Sequence, residues 1–283
     1  MTALRPLIAS ALVLVMGCAS GGIGSHIQMA ATTASAAHKA SRPISDEEEY
    51  YIGRAVAATL ISQYPLLKNK KLNDYLNQVG LAVSLHSDKP YTYAGYHFSI
   101  LASTEVNAFA CPGGLIFITR GMLNAVNNEE ELAAVLAHEI AHISHRDGIG
   151  AIKKSRWTEA LTVIGTSAAK QYGSSGVSQL VGIFEGSIDD IVKTLVVNGY
   201  SRSQEYDADK TAVAYLAKAG YDPSAMKSFL NRLASKKKEA DGGMLKTHPS
   251  TTDRIDNVSD SIPSKTAETG GLKKRTDRFK STL

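Results

Sequence analysis

The sequence predicts a mainly α-helical domain with a small β-sheet, an α+β fold. Several stretches between residues 45 and 262 carry apolar side chains at helical spacing. The stretch 96–123 differs, because apolar residues alternate on either side of a Pro-Gly-Gly segment, a pattern typical of strands. The chain has 283 residues, with 43% hydrophobic and 20% charged residues, and can therefore bury a substantial globular core.

The N-terminus has the features of an export signal. Arg5 precedes an apolar run, Leu7 to Met16, that is shorter than the roughly 20 residues of a membrane-spanning helix. The run ends in VMGC, which resembles a bacterial lipobox, so we expect residues 1–17 to be a lipoprotein signal peptide and Cys18 to be lipidated. An ordinary signal peptide with an incidental cysteine is the alternative. Ala19 resembles the sorting pattern for the periplasmic face of the outer membrane.

Residues 18–44 are small and polar, so we expect a flexible tether between the lipid and the folded domain. If Cys18 is acylated, Cys111 is the only remaining thiol and no intramolecular disulfide is possible.

The formal charge of +4 is mild. Its two short basic runs, 236–238 and 273–275, are typical of solvated surface, and we expect no nucleic-acid partner.

The folded part is predicted to begin with two helices. Ser45 precedes the acidic turn DEEE, which suits a helix N-terminus, and the second helix is predicted over residues 69–86. Phe98 and Ile100, then Leu115 and Phe117, predict two strands.

The second half of the chain is predicted to be helical. Glycines interrupt the segment 148–199, which is either a mobile element beside a cleft or a helix–loop–helix connection. Two regular helices are predicted over residues 203–219 and 223–238. The polar tail, residues 263–283, is predicted to be disordered.

The stretch 129–145 predicts a helix that carries two histidines on one face. Asn128 is a suitable N-cap, with Glu131 at the capping-box position. The apolar stripe of this helix consists of Leu132, Val135, Leu136 and Ile140. His138 and His142 lie one turn apart, so both imidazoles can reach one metal ion.

A third ligand is needed, because catalytic zinc usually takes three protein ligands and leaves the fourth position to water. In YSRSQEYDADKTA, Glu205 and Asp209 are four residues apart on the next predicted helix. We interpret Glu205 as the third ligand, and Asp209 as the acceptor that fixes the tautomer of a ligand histidine. The alternative is that both carboxylates belong to a solvated acidic face.

Glu139 follows His138 directly and points to the flank of the two ligands. A carboxylate there can act as the general base toward a water that zinc has made more acidic. His145 lies only three residues after His142, and the spacing does not fit the third histidine of the metzincin pattern. We interpret His145 as a structural or surface residue.

Four motifs together resemble a known family. NAFACPGGLIFITRGML, HEIAH, YSRSQEYDADKTA and THPSTTDRI occur in the order typical of the CAAX-prenyl-protease-like, HtpX-like zinc metallopeptidases. The resemblance covers residues 45–262, and within the family the chain is similar to the soluble, lipoprotein-type bacterial branch. It implies a gluzincin metalloprotease fold, in which the active-site helix lies beside the edge of a small sheet.

The resemblance also implies the roles of individual residues. It assigns one zinc ion per chain to His138, His142 and Glu205, with Glu139 as the general base. The substrate-binding edge would be a strand that pairs with extended substrate backbone, formed by Asn107, Ala108, Phe109 and Ala110. The alternative is that Asn107 and Phe109 only shape a turn and fill the core.

His248 lies in the fourth motif, and by the same resemblance it stabilises the oxyanion of the intermediate or occupies the fourth zinc position. A plain loop histidine is the alternative. Arg254 is expected to anchor that loop by a salt bridge.

Two residues depart from the family pattern. Cys111 replaces an apolar residue, and is either a buried small side chain or a thiol that responds to oxidants; Asp147 replaces a frequent histidine, without an assigned mechanism.

These expectations favour a zinc-dependent endopeptidase, held by the lipid on Cys18 in the bacterial envelope, that cleaves unfolded or misfolded envelope proteins. One alternative is an envelope-assembly factor or chaperone that uses the same groove without cleaving. Another is a zinc hydrolase of non-peptide substrates. The expected partners are extended polypeptides, the membrane and envelope-assembly proteins.

Overall fold

The fold is described from a computed structural model that covers residues 43–152, 186–236, 247–248, 251–263 and 271–283. This part of the chain is mainly helical with a three-stranded sheet, which confirms the predicted fold class. The predicted signal peptide, Cys18, most of the tether and most of the segment 148–199 lie outside the described residues. Within those residues, no helix combines the length and the apolar character needed to cross a membrane.

Two helices precede the sheet, as predicted. Helix α1 (Asp46–Gln63) begins at a reciprocal capping box: the Ser45 hydroxyl accepts from the Glu48 N–H, and the Glu48 carboxylate accepts from the Ser45 N–H. Helix α2 (Lys70–Ser84) begins after Asn69, whose side chain caps it. Helix α2 packs against the first strand of the sheet.

The sheet has the strand order β1 (His97–Leu101), β3 (Leu115–Thr119), β2 (Ala108–Cys111). The two strands predicted from alternation are β1 and β3, which pair in parallel. Strand β2 is antiparallel to β3 and forms one edge of the sheet. Strand β3 is buried along both faces because it lies in the centre.

The sheet separates two apolar clusters. Ala108, Ala110 and Ile116 face the larger cluster, whereas Phe109 and Cys111 face the smaller cluster, as expected from strand alternation. Cys111 has no exposed surface, and burial raises the pKa of its thiol well above the usual value. Among the two interpretations of this residue, the geometry fits the buried small side chain, because an oxidant reacts with an accessible thiolate.

A run of helices follows the sheet, and the predicted helices of the second half of the chain are present. Their bounds are α3 (Arg120–Ala125), α4 (Glu129–His145), α5 (Asp147–Gly150), a helical segment 186–198 ending in a π-helical turn (Thr194–Asn198), α6 (Arg202–Ala219), α7 (Ala225–Lys236), α8 (Thr251–Ser261) and α9 (Leu272–Thr282). Helix α4 is central: it contacts α2, α6, α7 and β2, and every residue from Glu129 to Ile143 is buried.

Helix α9 corrects one prediction. The tail 263–283 was expected to be disordered because it is polar, and this expectation is wrong for residues 271–283. Phe279 packs into the larger apolar cluster, and Arg275 and Arg278 form ion pairs with buried carboxylates at the start of α4. The polar residues are ordered because their partners come from a distant part of the chain.

Candidate metal centre

Four side chains from three parts of the fold converge at one buried point. His138 and His142 come from α4, Glu205 comes from the first turn of α6, and His248 lies just before α8. One ligand atom from each residue lies within 4.8 Å of the ligand atoms of the other three. None of the four side chains has more than 4% of its surface exposed, so Glu205 is not part of a solvated acidic face.

The spacing of these atoms fits a metal ion. Nε2 of His138 lies 3.1 Å from Nε2 of His142 and 3.3 Å from Nδ1 of His248. Oε1 of Glu205 lies 2.8 Å from the same Nδ1 of His248 and 3.5 Å from Nε2 of His142. Zinc–nitrogen bonds of about 2.0–2.1 Å would place tetrahedral ligand atoms about 3.3 Å apart. The four atoms are therefore spaced as neighbouring ligands of one ion.

A carboxylate and a guanidinium lie behind His138. Nδ1 of His138 lies 2.9 Å from Oδ1 of Asp209. Arg254 donates two hydrogen bonds of 2.7 Å to Asp209, lies 2.9 Å from Glu205 and bonds the carbonyl oxygen of His248. Arg254 thus anchors the loop by a salt bridge, as expected from the sequence, and also ties three elements of the site together.

His142 is oriented by Asp147, to which the sequence assigned no mechanism. Nδ1 of His142 lies 2.7 Å from Oδ2 of Asp147, and Gln204 donates a hydrogen bond of 3.0 Å to the other oxygen of that carboxylate. The ring of Tyr200 stacks on the imidazole of His142, with centroids 4.1 Å apart. Sequence reasoning missed Gln204 and Tyr200 in this role; the signal that was available is that both lie within the motif that contains Glu205.

The charges of the site favour a bound cation. Burial opposes ionisation of Glu205, but His248 and Arg254 hold the pKa of its carboxyl well below the usual value. Burial would lower the pKa of His142, yet hydrogen bonds to Asp147 and Glu205 raise it to about 9. Among the described residues around the cluster, Arg254 is the guanidinium that offsets the buried carboxylates Glu139, Asp147, Glu205 and Asp209. The donor set and its excess of negative charge therefore fit a divalent ion.

Glu139 differs from the other carboxylates of the site. Its side chain is fully buried, and neither carboxylate oxygen has a hydrogen-bond partner among the described residues. Its charge raises the pKa of His142 and of Arg254, which places it beside the cluster. An ionised carboxylate that lacks partners in the protein is costly to bury, so this position requires a ligand, a water or a proton.

A family model described as peptidase family M48 matches residues 70–262, more than half of the chain. The chain belongs to peptidase family M48. This confirms the resemblance to the HtpX-like zinc metallopeptidases that the four motifs indicated. The matched range contains His138, His142, Glu205 and His248, whereas α1 and α9 lie outside it.

Individual members of the family share much of the matched region. The beta-barrel assembly-enhancing protease of Yersinia pestis is 28% identical over 225 residues, which is 76% of this chain and 44% of the relative. A putative beta-barrel assembly-enhancing protease of Vibrio cholerae serotype O1 is 31% identical over 218 residues, with coverage of 74% and 43%. Metalloprotease LoiP of Escherichia coli K12 is 24% identical over 207 residues, with coverage of 73% and 74%. The chain thus spans less than half the length of the first two relatives.

The loop that carries His248 is fixed from two sides. The Tyr200 N–H donates to the carbonyl oxygen of Thr247, and the Thr247 hydroxyl lies 3.4 Å from the side-chain oxygen of Asn107. Gly199 is required here, because its φ of +74° is left-handed and a Cβ would lie 2.2 Å from the Thr247 carbonyl oxygen. Asn107, directly before β2, is therefore connected to the metal centre through the His248 loop.

Two further predictions have structural outcomes. His145 lies on the surface, where its Nε2 is 3.2 Å from the Thr211 hydroxyl, and it is not one of the four converging residues. The predicted substrate edge, from Asn107 to Ala110, coincides with the start of strand β2, and its side chains are buried. Residues Ala108–Ala110 form a strand, so the alternative that this segment shapes a turn does not hold there. Substrate binding at this edge stays a prediction.

Proposed function

We propose that this chain is a zinc-dependent endopeptidase of the bacterial cell envelope, in which His138, His142 and Glu205 hold the zinc ion and Glu139 is the general base. The observation that carries the proposal is the Glu139 carboxylate, which is fully buried and has no hydrogen-bond partner among the described residues, beside four converging ligand side chains. Membership of peptidase family M48 supports the same reaction.

The chemistry follows from these positions. A bound zinc ion would make a water molecule more acidic and polarise the scissile carbonyl group. Glu139 would accept the proton of the attacking water and pass it to the leaving amine, because no donor in the described part of the chain competes for its oxygens. Asp209, 2.9 Å from Nδ1 of His138, would orient that ligand, and burial excludes bulk water from the reacting groups.

The proposed substrates are extended segments of unfolded or misfolded envelope proteins. Strand β2 pairs with β3 on one side and has no second strand partner among the described residues, so an extended peptide would add to the edge formed by Asn107 to Ala110 once the groups that bury this edge move aside. Such pairing reads mainly the backbone, and a folded substrate does not offer an extended backbone. The names of two relatives, which are beta-barrel assembly-enhancing proteases, support action in the envelope.

The location follows from the N-terminal motif. Lipidation of Cys18 would tether the domain to a membrane, in agreement with the lipobox-like sequence before it, and Ala19 favours the periplasmic face of the outer membrane. Replacing Cys18 with alanine is expected to move the protein from the membrane fraction to the soluble fraction. Retention of the variant in the membrane fraction would contradict lipid anchoring.

A second candidate function rests on His248. Its Nδ1 lies 2.8 Å from Glu205 and 3.3 Å from Nε2 of His138, close enough to complete a four-ligand site and exclude water. In that state the chain would be a latent protease, or an assembly factor that binds extended segments without cleaving them. A His248→Ala variant that cleaves casein where the parent does not would support latency.

The test of the main proposal compares Glu139→Gln with the parent, as full chains purified in mild detergent. The zinc content of both is measured first, then the rate of casein cleavage. We expect equal zinc content and a rate loss of about 10²–10⁴-fold, the usual contribution of a general base. Glu47→Gln, at an exposed position on α1, is the matched control and should cleave like the parent. The proposal fails if Glu139→Gln cleaves normally or if the parent binds no zinc.

A further inference from the structure

The two histidines on α4 are supported differently. Behind His138 stands Asp209, held by the fully buried Arg254. Behind His142 stands Asp147, held by the neutral side chain of Gln204. We propose that Asp147 and Gln204 form a positioning pair that fixes the orientation and tautomer of His142 toward the metal. The proposal rests on the zinc site proposed above.

A strained turn places Asp147 behind His142. Arg146 ends α4 with a φ of +60°, and it is the sole non-glycine residue in the described part with a left-handed backbone. This conformation costs about 1–2 kcal/mol for a residue with a Cβ. The Arg146 side chain compensates: its Nε donates to Glu49 at 2.8 Å, and its guanidinium also bonds the carbonyl oxygen of Ile44. Helix α4 ends at this turn, and the next residue, Asp147, lies 2.7 Å from Nδ1 of His142.

The hydrogen bonds have only one consistent direction. A carboxylate only accepts, so Asp147 requires a proton on Nδ1 of His142, and when the imidazole becomes neutral to bind a metal ion, the lone pair is therefore on Nε2, which faces the cluster. The Gln204 amide is itself oriented, because its oxygen accepts from the Ser201 N–H at 3.1 Å and its nitrogen therefore faces Asp147. The capping box that starts α6 thus supports both Glu205 and, through Asp147, His142.

Without Asp147, this side of the site is open to water. A cavity of 290 Å³ reaches it, with walls formed by His145, Asp147, Gln204, Asp207, Lys210 and Thr211. A water molecule in the cavity can either donate a hydrogen bond to Nδ1 of His142 or accept one from it. Either tautomer of His142 would therefore find a hydrogen-bond partner. The carboxylate of Asp147 can only accept, so it selects the tautomer with a proton on Nδ1. For this reason we assign Asp147 a positioning role.

The experiment measures zinc affinity, not cleavage, in the full-length protein by competition with a chromophoric zinc chelator. Asp147→Asn leaves a single oxygen acceptor where the N–H groups of His142 and Gln204 each had one, so the acceptor is no longer reserved for His142, and we expect a loss of about 10–100-fold in zinc affinity. The double variant Asp147→Asn with Gln204→Glu restores a donor–acceptor pair and should recover most of the loss. Asp207→Asn, on the wall of the same cavity, removes one charge without touching His142 and is expected to match the parent.

Urea unfolding of the zinc-free proteins separates positioning from folding. If Asp147→Asn lowers the free energy of unfolding but leaves zinc affinity unchanged, Asp147 has a structural role only and the inference is overturned. An equal loss in Asp207→Asn would also overturn it, since a general charge effect would then suffice. If Asp147→Asn does not fold, Gln204→Ala decides: weaker zinc binding supports the pair, and parental binding refutes it. A parent that binds no zinc would instead refute the proposed function.

Discussion

The two ends of helix α4 contain buried carboxylates in opposite electrostatic surroundings. At the N-terminal end, Glu129, Glu130 and Glu131 are consecutive, and none has more than 5% of its surface exposed. Each has charged and neutral donors: Arg278, Tyr75 and Tyr221 for Glu129, Arg275 and the Asp222 N–H for Glu130, and Arg232 and the Asn127 N–H for Glu131. The helix dipole favours negative charge at this end as well.

Around the C-terminal half of the same helix, the carboxylates of α4 and of the neighbouring helix α6 are not matched in this way. Glu139 has no partner among the described residues, and Arg254 is shared between Asp209 and Glu205. Burying unpaired charge lowers stability, so a structural site would compensate it. The contrast shows that the buried carboxylates at the N-terminus of α4 are neutralised by protein groups. Around its C-terminal half an excess of negative charge remains, which a metal ion and a substrate can neutralise.

The largest effect on stability is expected from removing the guanidinium at the metal end. Arg254→Ala would leave Asp209 and Glu205 buried without their cation, at a cost of about 3–5 kcal/mol in the free energy of unfolding. Urea unfolding of the zinc-free protein measures this cost. Arg202→Ala, whose side chain is 72% exposed and faces Asp253, is the control and should cost less than about 1 kcal/mol. A small cost for Arg254→Ala would mean that the carboxylates are already compensated.

A smaller effect is expected at the N-terminal end. Glu129→Gln keeps the size of the side chain but removes the charge that accepts from Tyr75, Tyr221 and Arg278, and we expect a loss of about 1.5–3 kcal/mol. Zinc affinity should not change, because this end of α4 lies more than two turns from His138. A variant that unfolds like the parent, or that loses zinc, would contradict the division of α4 into two functional ends.

The same substitution at the metal end should have the opposite sign. Glu139→Gln replaces an unpartnered buried charge with a neutral amide, so the zinc-free protein is expected to keep its free energy of unfolding or to gain up to about 1 kcal/mol. Thermal and urea unfolding of the two glutamine variants, measured in parallel, give the comparison directly. If Glu139→Gln destabilises the fold as much as Glu129→Gln does, Glu139 has structural partners and the contrast is wrong.

Features encoded within one or two helical turns were predictable from the sequence. The cap at Asn128, the shared face of His138 and His142, and the four-residue spacing of Glu205 and Asp209 depend on local periodicity, and the structure has all of them. One detail of the cap differs: Glu131 accepts from the N–H of Asn127, not from that of Asn128. His138, His142 and Glu205 lie on two different helices. The sequence still predicted that they belong to one site, because catalytic zinc requires three protein ligands.

Features that depend on distant partners were not predictable. Arg278 and Glu129 are 149 residues apart in the sequence, and nothing local to residues 271–283 indicates that their charges are neutralised. The same limit applies to Asp147, because its partner Gln204 is 57 residues away. A polar segment is predicted to be disordered when the residues that pair with its charges cannot be identified from the sequence, and this explains the error at α9. For the same reason, no mechanism could be assigned to Asp147.

The smallest effect concerns pH at the N-terminal end. Burial and the charge of Glu129 raise the pKa of Tyr75 and of Tyr221 above the usual value. The folded protein therefore keeps both protons where the unfolded chain begins to lose them, and stability should fall as the pH rises above about 10. Between about pH 9 and pH 10.5 we expect a loss of about 0.8 kcal/mol per tyrosine. Tyr75→Phe should reduce this slope, whereas Tyr91→Phe, at a side chain that is 78% exposed, should not. If urea unfolding gives the parent and Tyr75→Phe the same loss in free energy of unfolding between the two pH values, burial and Glu129 do not retain the proton of Tyr75.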